Sequence, residues 1–109
     1  AVGGLQIEDI NGKWIKAPPI EGSLGINVGD LLSRWTDGVY RSTKHRVINS
    51  SGRERLSLVL AYDPDPDTMI DARDIFGPGY KAAEEPITCG DYLIWRFEKA
   101  FSYREAKRQ

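Results

Sequence analysis

Turn signals recur along the first sixty residues and punctuate a series of short strand-like runs. They are Asn11-Gly12, Gly29-Asp30, Asp37-Gly38 and the polar run Asn49-Ser50-Ser51-Gly52. An Asn-Gly pair favours a tight hairpin because both residues tolerate positive φ. Leu5-Gln6-Ile7 therefore reads as one strand and Lys13-Trp14-Ile15-Lys16-Ala17 as its return. Pro18-Pro19 ends that return, since proline cannot donate to a ladder. Ser23 to Val28 alternates, with Leu24, Ile26 and Val28 on one face. Residues 39–48 and 54–62 are the best strands. Leu31 to Trp35 fits a helical turn or a strand equally. Short strands with frequent turns predict an antiparallel sandwich or barrel.

The pattern changes after Tyr62. Asp63-Pro64-Asp65-Pro66-Asp67 cannot hold regular structure, because proline removes donors and fixes φ. Residues 68–87, with Gly77-Pro78-Gly79, read as loop. Residues 88–109 read as one helix. Thr88 is its N-cap, with Asp91 three residues on. Leu93, Phe97 and Phe101 form an apolar stripe with Ile94 beside it. Lys99, Arg104, Lys107 and Arg108 fall where the helix dipole favours cations. The expected division is 1–67, 68–87 and 88–109.

The 109 residues suffice for one small domain. A net charge of -1 gives no bulk attraction to nucleic acid or anionic membrane. No apolar run approaches the roughly 18 residues that span a bilayer. Cys89 is alone, so no internal disulfide forms; this suits a reducing compartment, and a cytoplasmic location is expected. The N-terminus carries no signal-peptide pattern and no Met, and it opens within a strand-like pattern, as a piece of something longer would.

In residues 54–62, Leu56, Leu58, Leu60 and Tyr62 point one way, and Arg55, Ser57, Val59 and Ala61 the other. The Leu face is expected to be buried. Arg55 and Ser57 either face solvent or enter a barrel mouth, where a guanidinium fork and a hydroxyl suit one carboxylate. His45, the only histidine, shares a face with Thr43 and Val47. By itself it reads more often as a hydrogen-bonded or half-exposed residue than as a metal ligand. Trp14, Trp35 and Trp95 read as packing, since no basic stripe accompanies them. The Asp63 to Asp67 run lacks the glycine and distal Glu of an EF-hand and reads as solvated loop. Cys89, near a helix start, reads as a small buried residue.

A longer pattern runs through these elements. It comprises Gly4-Leu5-Gln6-Ile7, Gly12-Lys13-Trp14-Ile15, Pro18-Pro19 and Asn27-Val28-Gly29-Asp30. It continues with Arg34-Trp35-Thr36-Asp37-Gly38, Tyr40, Ser42, His45-Arg46-Val47, Arg53-Glu54-Arg55-Leu56-Ser57 and Asp63-Pro64. In order and spacing it resembles the C-terminal half of the isopenicillin N synthase-like branch of the Fe(II)/2-oxoglutarate dioxygenases. Residues 87–103 are similar to the helix that follows the barrel there.

The resemblance implies a mainly β fold, part of a double-stranded β-helix (jelly roll), with a C-terminal α-helix. It implies His45 as the distal iron ligand, and Arg55 and Ser57 as the holders of the far carboxylate of 2-oxoglutarate. In some relatives the same Arg-Ser pair holds a substrate carboxylate instead. The activity implied is oxidation of a small organic substrate by O₂, as hydroxylation or desaturation. A facial-triad site needs two histidines and a carboxylate. In the family a His-x-Asp pair upstream supplies the other two ligands, and this sequence contains none. A preceding segment or a second chain is therefore expected to supply it. A non-catalytic jelly-roll piece acting as a binding or interaction domain is the alternative. Two copies sharing a metal through paired His45 residues is a third arrangement.

Overall fold

The computed structural model describes residues 2–101. Its elements are strands β1 (Leu5–Glu8) and β2 (Trp14–Lys16), helix α1 (Asp30–Trp35), strands β3 (His45–Val47) and β4 (Met69–Ile70), helix α2 (Arg73–Phe76), strand β5 (Ile87–Thr88) and helix α3 (Cys89–Ala100).

The Asn11-Gly12 hairpin forms as its residues require. The Asp9 carboxylate accepts from the backbone N–H of Asn11 and of Lys13, each at 2.9 Å, and Gly12 takes φ 79°. This turn sets the register Glu8↔Trp14, Ile7↔Ile15 and Gln6↔Lys16. On its other edge β1 pairs antiparallel with β3, as Leu5↔Val47, Gln6↔Arg46 and Ile7↔His45. The sheet order is β2-β1-β3.

Directly opposed residues share a face. One face therefore carries Leu5, Ile7, Ile15, His45 and Val47, and the other Gln6, Glu8, Trp14, Lys16 and Arg46. On the polar face the Arg46 guanidinium reaches across β1. It donates to Gln6 Oε1 at 2.9 Å and lies 4.0 Å from the centre of the Trp14 ring. Together the two contacts join all three strands, and the cation–π contact contributes about 1 kcal/mol. Trp14 is packing, as its sequence context implied.

The buried core lies elsewhere. Ile70, Ala72, Cys89, Tyr92 and Thr36 are its members among the described residues. β4 and β5 form a two-stranded antiparallel ladder that leads directly into α3. The Thr88 hydroxyl accepts from Asp91 N at 3.2 Å, the cap expected from sequence. Cys89 N–H and Gly90 N–H then donate to the carbonyls of Thr68 and Pro66. The Cys89 thiol is fully buried, and that burial pushes its pKa up, with Asp63 adding to the shift. The small-buried-residue reading of Cys89 holds.

Several expectations differ from the structure. Residues 54–62 form no ladder, and Leu56, Leu58, Leu60 and Tyr62 are exposed; Leu58 shows 104% of its reference surface. A strand exists only when a neighbour takes its hydrogen bonds, and no described residue is placed to do so. Leu24 and Ile26 are exposed for the same reason. The strand expected over 39–48 contracts to His45–Val47, the part that meets β1. Residues 68–87, expected as loop, contain β4, α2 and the first residue of β5. Leu31 to Trp35 resolves as helix. In α3 the buried positions are Cys89 and Tyr92 rather than Phe97 and Phe101, because the first turns of the helix meet the core. Arg104, Lys107 and Arg108 lie outside the described residues.

The accessible surface is 9218 Å². A compact monomer of 12.2 kDa exposes roughly 6,100 Å². The apolar side chains of residues 24–26 and 56–62 contribute to that excess. Removing the cap by Thr88→Ala should lower unfolding stability by about 1 kcal/mol, read as a shift of the urea midpoint with unchanged slope.

Candidate functional site

β3 places His45 on the apolar face of the sheet, opposite Ile7, with its side chain exposed. Nδ1 lies 3.2 Å from the Thr43 carbonyl oxygen. A carbonyl only accepts, so Nδ1 carries a proton, and in the neutral imidazole the lone pair is on Nε2. This is the tautomer of a metal-ligating histidine, with the distal nitrogen free and the other oriented by a backbone carbonyl.

Arg55 is half-buried. Its Nε donates to the Gly3 carbonyl at 3.2 Å, at the start of β1. No carboxylate of the described residues pairs with it. The guanidinium end that carries Nη1 and Nη2 therefore keeps its donors for an external acceptor. Ser57 follows two residues later, exposed, in the extended segment without a ladder. A cavity of about 290 Å³ is lined by Gly3, Gly4, Leu5, Lys16, Pro18 and Ile48 among others; Arg55 itself does not line it.

A second cleft, of about 350 Å³, lies between α1 and α3. Most of its charged groups pair with one another, although Arg34 Nε is buried without a hydrogen-bond partner. Arg34 donates to the Glu85 carbonyl at 2.9 Å, lies 3.6 Å from the Glu84 carboxylate and stacks on Tyr92. Arg96 pairs with Asp30. Asp37, at φ 50°, accepts from the Tyr80 hydroxyl at 2.5 Å and from Ala83 N–H. The Asp37 hydrogen bond, burial and its charge push the Tyr80 pKa up. This cleft is a clasp between elements. Asp30, read from sequence as a turn residue rather than a ligand, serves that clasp.

Among the described residues no group of three or more His, Cys, Asp or Glu could hold a metal. In the acidic stretch, Asp63, Asp65 and Asp67 are exposed, and Asp71 is engaged by Arg73. The Arg73 guanidinium and backbone N–H hold the Asp71 carboxyl below the usual range.

Residues 1–64 match the model of the 2OG-Fe(II) oxygenase superfamily. The chain belongs to this superfamily. It is 57% identical over 65 residues to a probable iron/ascorbate oxidoreductase of Dictyostelium discoideum, covering 59% of this chain and 18% of that protein. It is 42% identical over 104 residues to a homoarginine-6-hydroxylase of Arabidopsis thaliana, covering 90% of this chain and 31% of that one. A full-length Neurospora crassa protein crystallised with alpha-KG superposes with a TM-score of 0.71 at 29% identity, over 91% of this chain and 32% of that one. The same protein has been crystallised with alpha-KG and thymine. The chain thus spans about a third or less of the relatives it matches.

The fold is accordingly part of a jelly roll with a C-terminal helix, and its sheets are not closed. The superfamily uses Fe(II) and 2-oxoglutarate. The residues present fit the two groups unequally. A half-buried guanidinium without a carboxylate partner fits one end of 2-oxoglutarate. One imidazole does not by itself hold iron.

Two contacts were not foreseen from sequence, the Thr43 carbonyl on His45 and the Gly3 carbonyl on Arg55. Both acceptors are backbone atoms, which side-chain patterns do not announce. The Asp37–Tyr80 bond spans 43 residues, a separation that no local pattern encodes. Tyr80 has a raised pKa in the folded state, so its bond contributes fully below pH 10.0 and is lost as pH rises through the folded value. Alkaline titration should free the Tyr80 loop, seen as faster amide exchange near Ala83. Tyr80→Phe should give fast exchange there already at neutral pH.

Proposed function

We propose that these residues form the C-terminal part of a non-haem Fe(II)/2-oxoglutarate oxygenase that hydroxylates or desaturates a small organic substrate. Family membership supports the reaction class. The observation that carries the assignment to named residues is the state of His45: it is oriented through Nδ1, free at Nε2 and set on the apolar face of the sheet.

In this reading His45 Nε2 is one iron ligand. A His-x-Asp pair on polypeptide outside the 109 residues supplies the other two. The need for it rests on the count of histidines, which is one. Arg55 and Ser57 hold the far carboxylate of 2-oxoglutarate, the guanidinium by charge-assisted hydrogen bonds and the hydroxyl as one further donor. Bound iron and 2-oxoglutarate together supply the power to oxidise a C–H bond. The chain's own share is to fix the cosubstrate end-on, to orient one imidazole and to present an apolar wall that excludes water. The exposed Leu56, Leu58 and Leu60 are the surface on which the remaining polypeptide closes that wall. The named substrates of relatives, homoarginine and feruloyl CoA, are small organic molecules, which supports the same class here. A cytoplasmic location belongs to the same proposal, supported by a lone reduced cysteine.

The test uses the complete polypeptide that carries these residues. His45→Ala should abolish iron-dependent turnover, read as 2-oxoglutarate-stimulated oxygen uptake. Arg55→Ala should raise the 2-oxoglutarate requirement by roughly ten- to a hundredfold, since a charged hydrogen-bond partner is lost. Unchanged 2-oxoglutarate dependence in Arg55→Ala would return that residue to the solvent face. A complete polypeptide with no His-x-Asp that binds a carboxylate without iron would leave the binding-domain alternative standing.

A further inference from the structure

We infer that Gly4 is a positioning residue for Arg55, and that the Gly3–Gly4 corner sets the guanidinium before any carboxylate arrives. This rests on the proposed role of Arg55 in gripping 2-oxoglutarate. Three observations meet at the corner. The Gly3 carbonyl accepts from Arg55 Nε at 3.2 Å. Gly4 takes φ 130°, a conformation that side-chain-bearing residues rarely adopt. A Cβ at Gly4 would stand 2.7 Å from the Ile48 carbonyl oxygen and 3.4 Å from Arg55 Nε.

The geometry joins them. The φ of residue 4 turns the peptide plane between residues 3 and 4, and so decides where the Gly3 carbonyl points. With φ at 130° that carbonyl meets the Arg55 side chain, while the Gly4 carbonyl accepts from Ile48 N–H at 2.9 Å. Gly4 thus pins the edge of the sheet with its own carbonyl and aims its neighbour's at the arginine. A guanidinium offers a carboxylate either its Nε side or its Nη1/Nη2 end. Occupying Nε selects the end-on edge, so the corner decides which edge the far carboxylate meets. An arginine held this way loses less rotamer freedom on binding. Gly3 itself is less constrained, since a Cβ there would only touch Pro19 at 3.7 Å.

The experiment is a double-mutant cycle in the complete protein, titrating 2-oxoglutarate by calorimetry with Fe(II) under nitrogen. Gly4→Ala should weaken 2-oxoglutarate binding about tenfold in the parent protein and leave it unchanged in an Arg55→Ala background. Gly3→Ala should bind as the parent does. An equal loss in both backgrounds would make Gly4 merely structural and overturn the inference, as would no loss at all. If Arg55→Ala alone leaves binding unchanged, the proposed role of Arg55 fails first and the inference falls with it. Should Gly4→Ala not fold, the unaltered protein decides. The Arg55 Nε–H signal, assigned by its disappearance in Arg55→Lys, should be protected from water exchange before 2-oxoglutarate is added. Fast exchange of that proton would overturn the inference.

Discussion

Strand β1 is the member on which the sheet depends, because both other strands hydrogen-bond to it and neither touches the other in the ladder. Its four residues divide the environment cleanly. Leu5 and Ile7 belong to the apolar face with His45, and Gln6 and Glu8 to the polar face with Arg46. A slip of one residue between β1 and β3 would move His45 to the face of Gln6 and Glu8 and set Arg46 beside Leu5 and Ile7. Arg46 opposes that slip, because its guanidinium is committed to Gln6 and to the Trp14 ring on the other edge.

The hairpin and the helix cap were legible because each is a local code. Asn11-Gly12 and Asp9 lie within five residues, and Thr88 with Asp91 within four. The alternation of residues 54–62 was equally clear in sequence and yet yields no ladder here. Periodicity reports which face a strand would bury, and says nothing of whether a partner stands beside it. The same limit applies to His45 and Arg55. Their identity and spacing were visible through the superfamily pattern, whereas the carbonyls that orient them depend on backbone atoms brought together by folding.

The buried residues gather where the pattern was weakest. Residues 64–72 read as loop, yet Pro66 and Thr68 offer carbonyls to the first two N–H groups of α3, and Ile70 and Ala72 are buried nearby. Gly90 permits this approach, since a Cβ there would meet Pro66 at 3.3 Å. The proline-rich run excludes ladder structure, as its composition demands. Its rigidity serves a different end, a fixed acceptor surface for a helix start.

The pairing of β1 with β3 has a thermodynamic corollary. Thirty-six residues separate Glu8 from His45, and closing such a loop costs roughly 3 kcal/mol of chain entropy beyond the contacts themselves. Three ladder pairs, with the Glu8–Lys44 and Gly4–Ile48 backbone hydrogen bonds at either end, hold the closed arrangement. Whatever grips the imidazole therefore also draws on that closure, and part of its affinity goes into holding the third strand in place. By reciprocity, each stabilising contact made along that seam tightens the grip on the ligand by the same free energy.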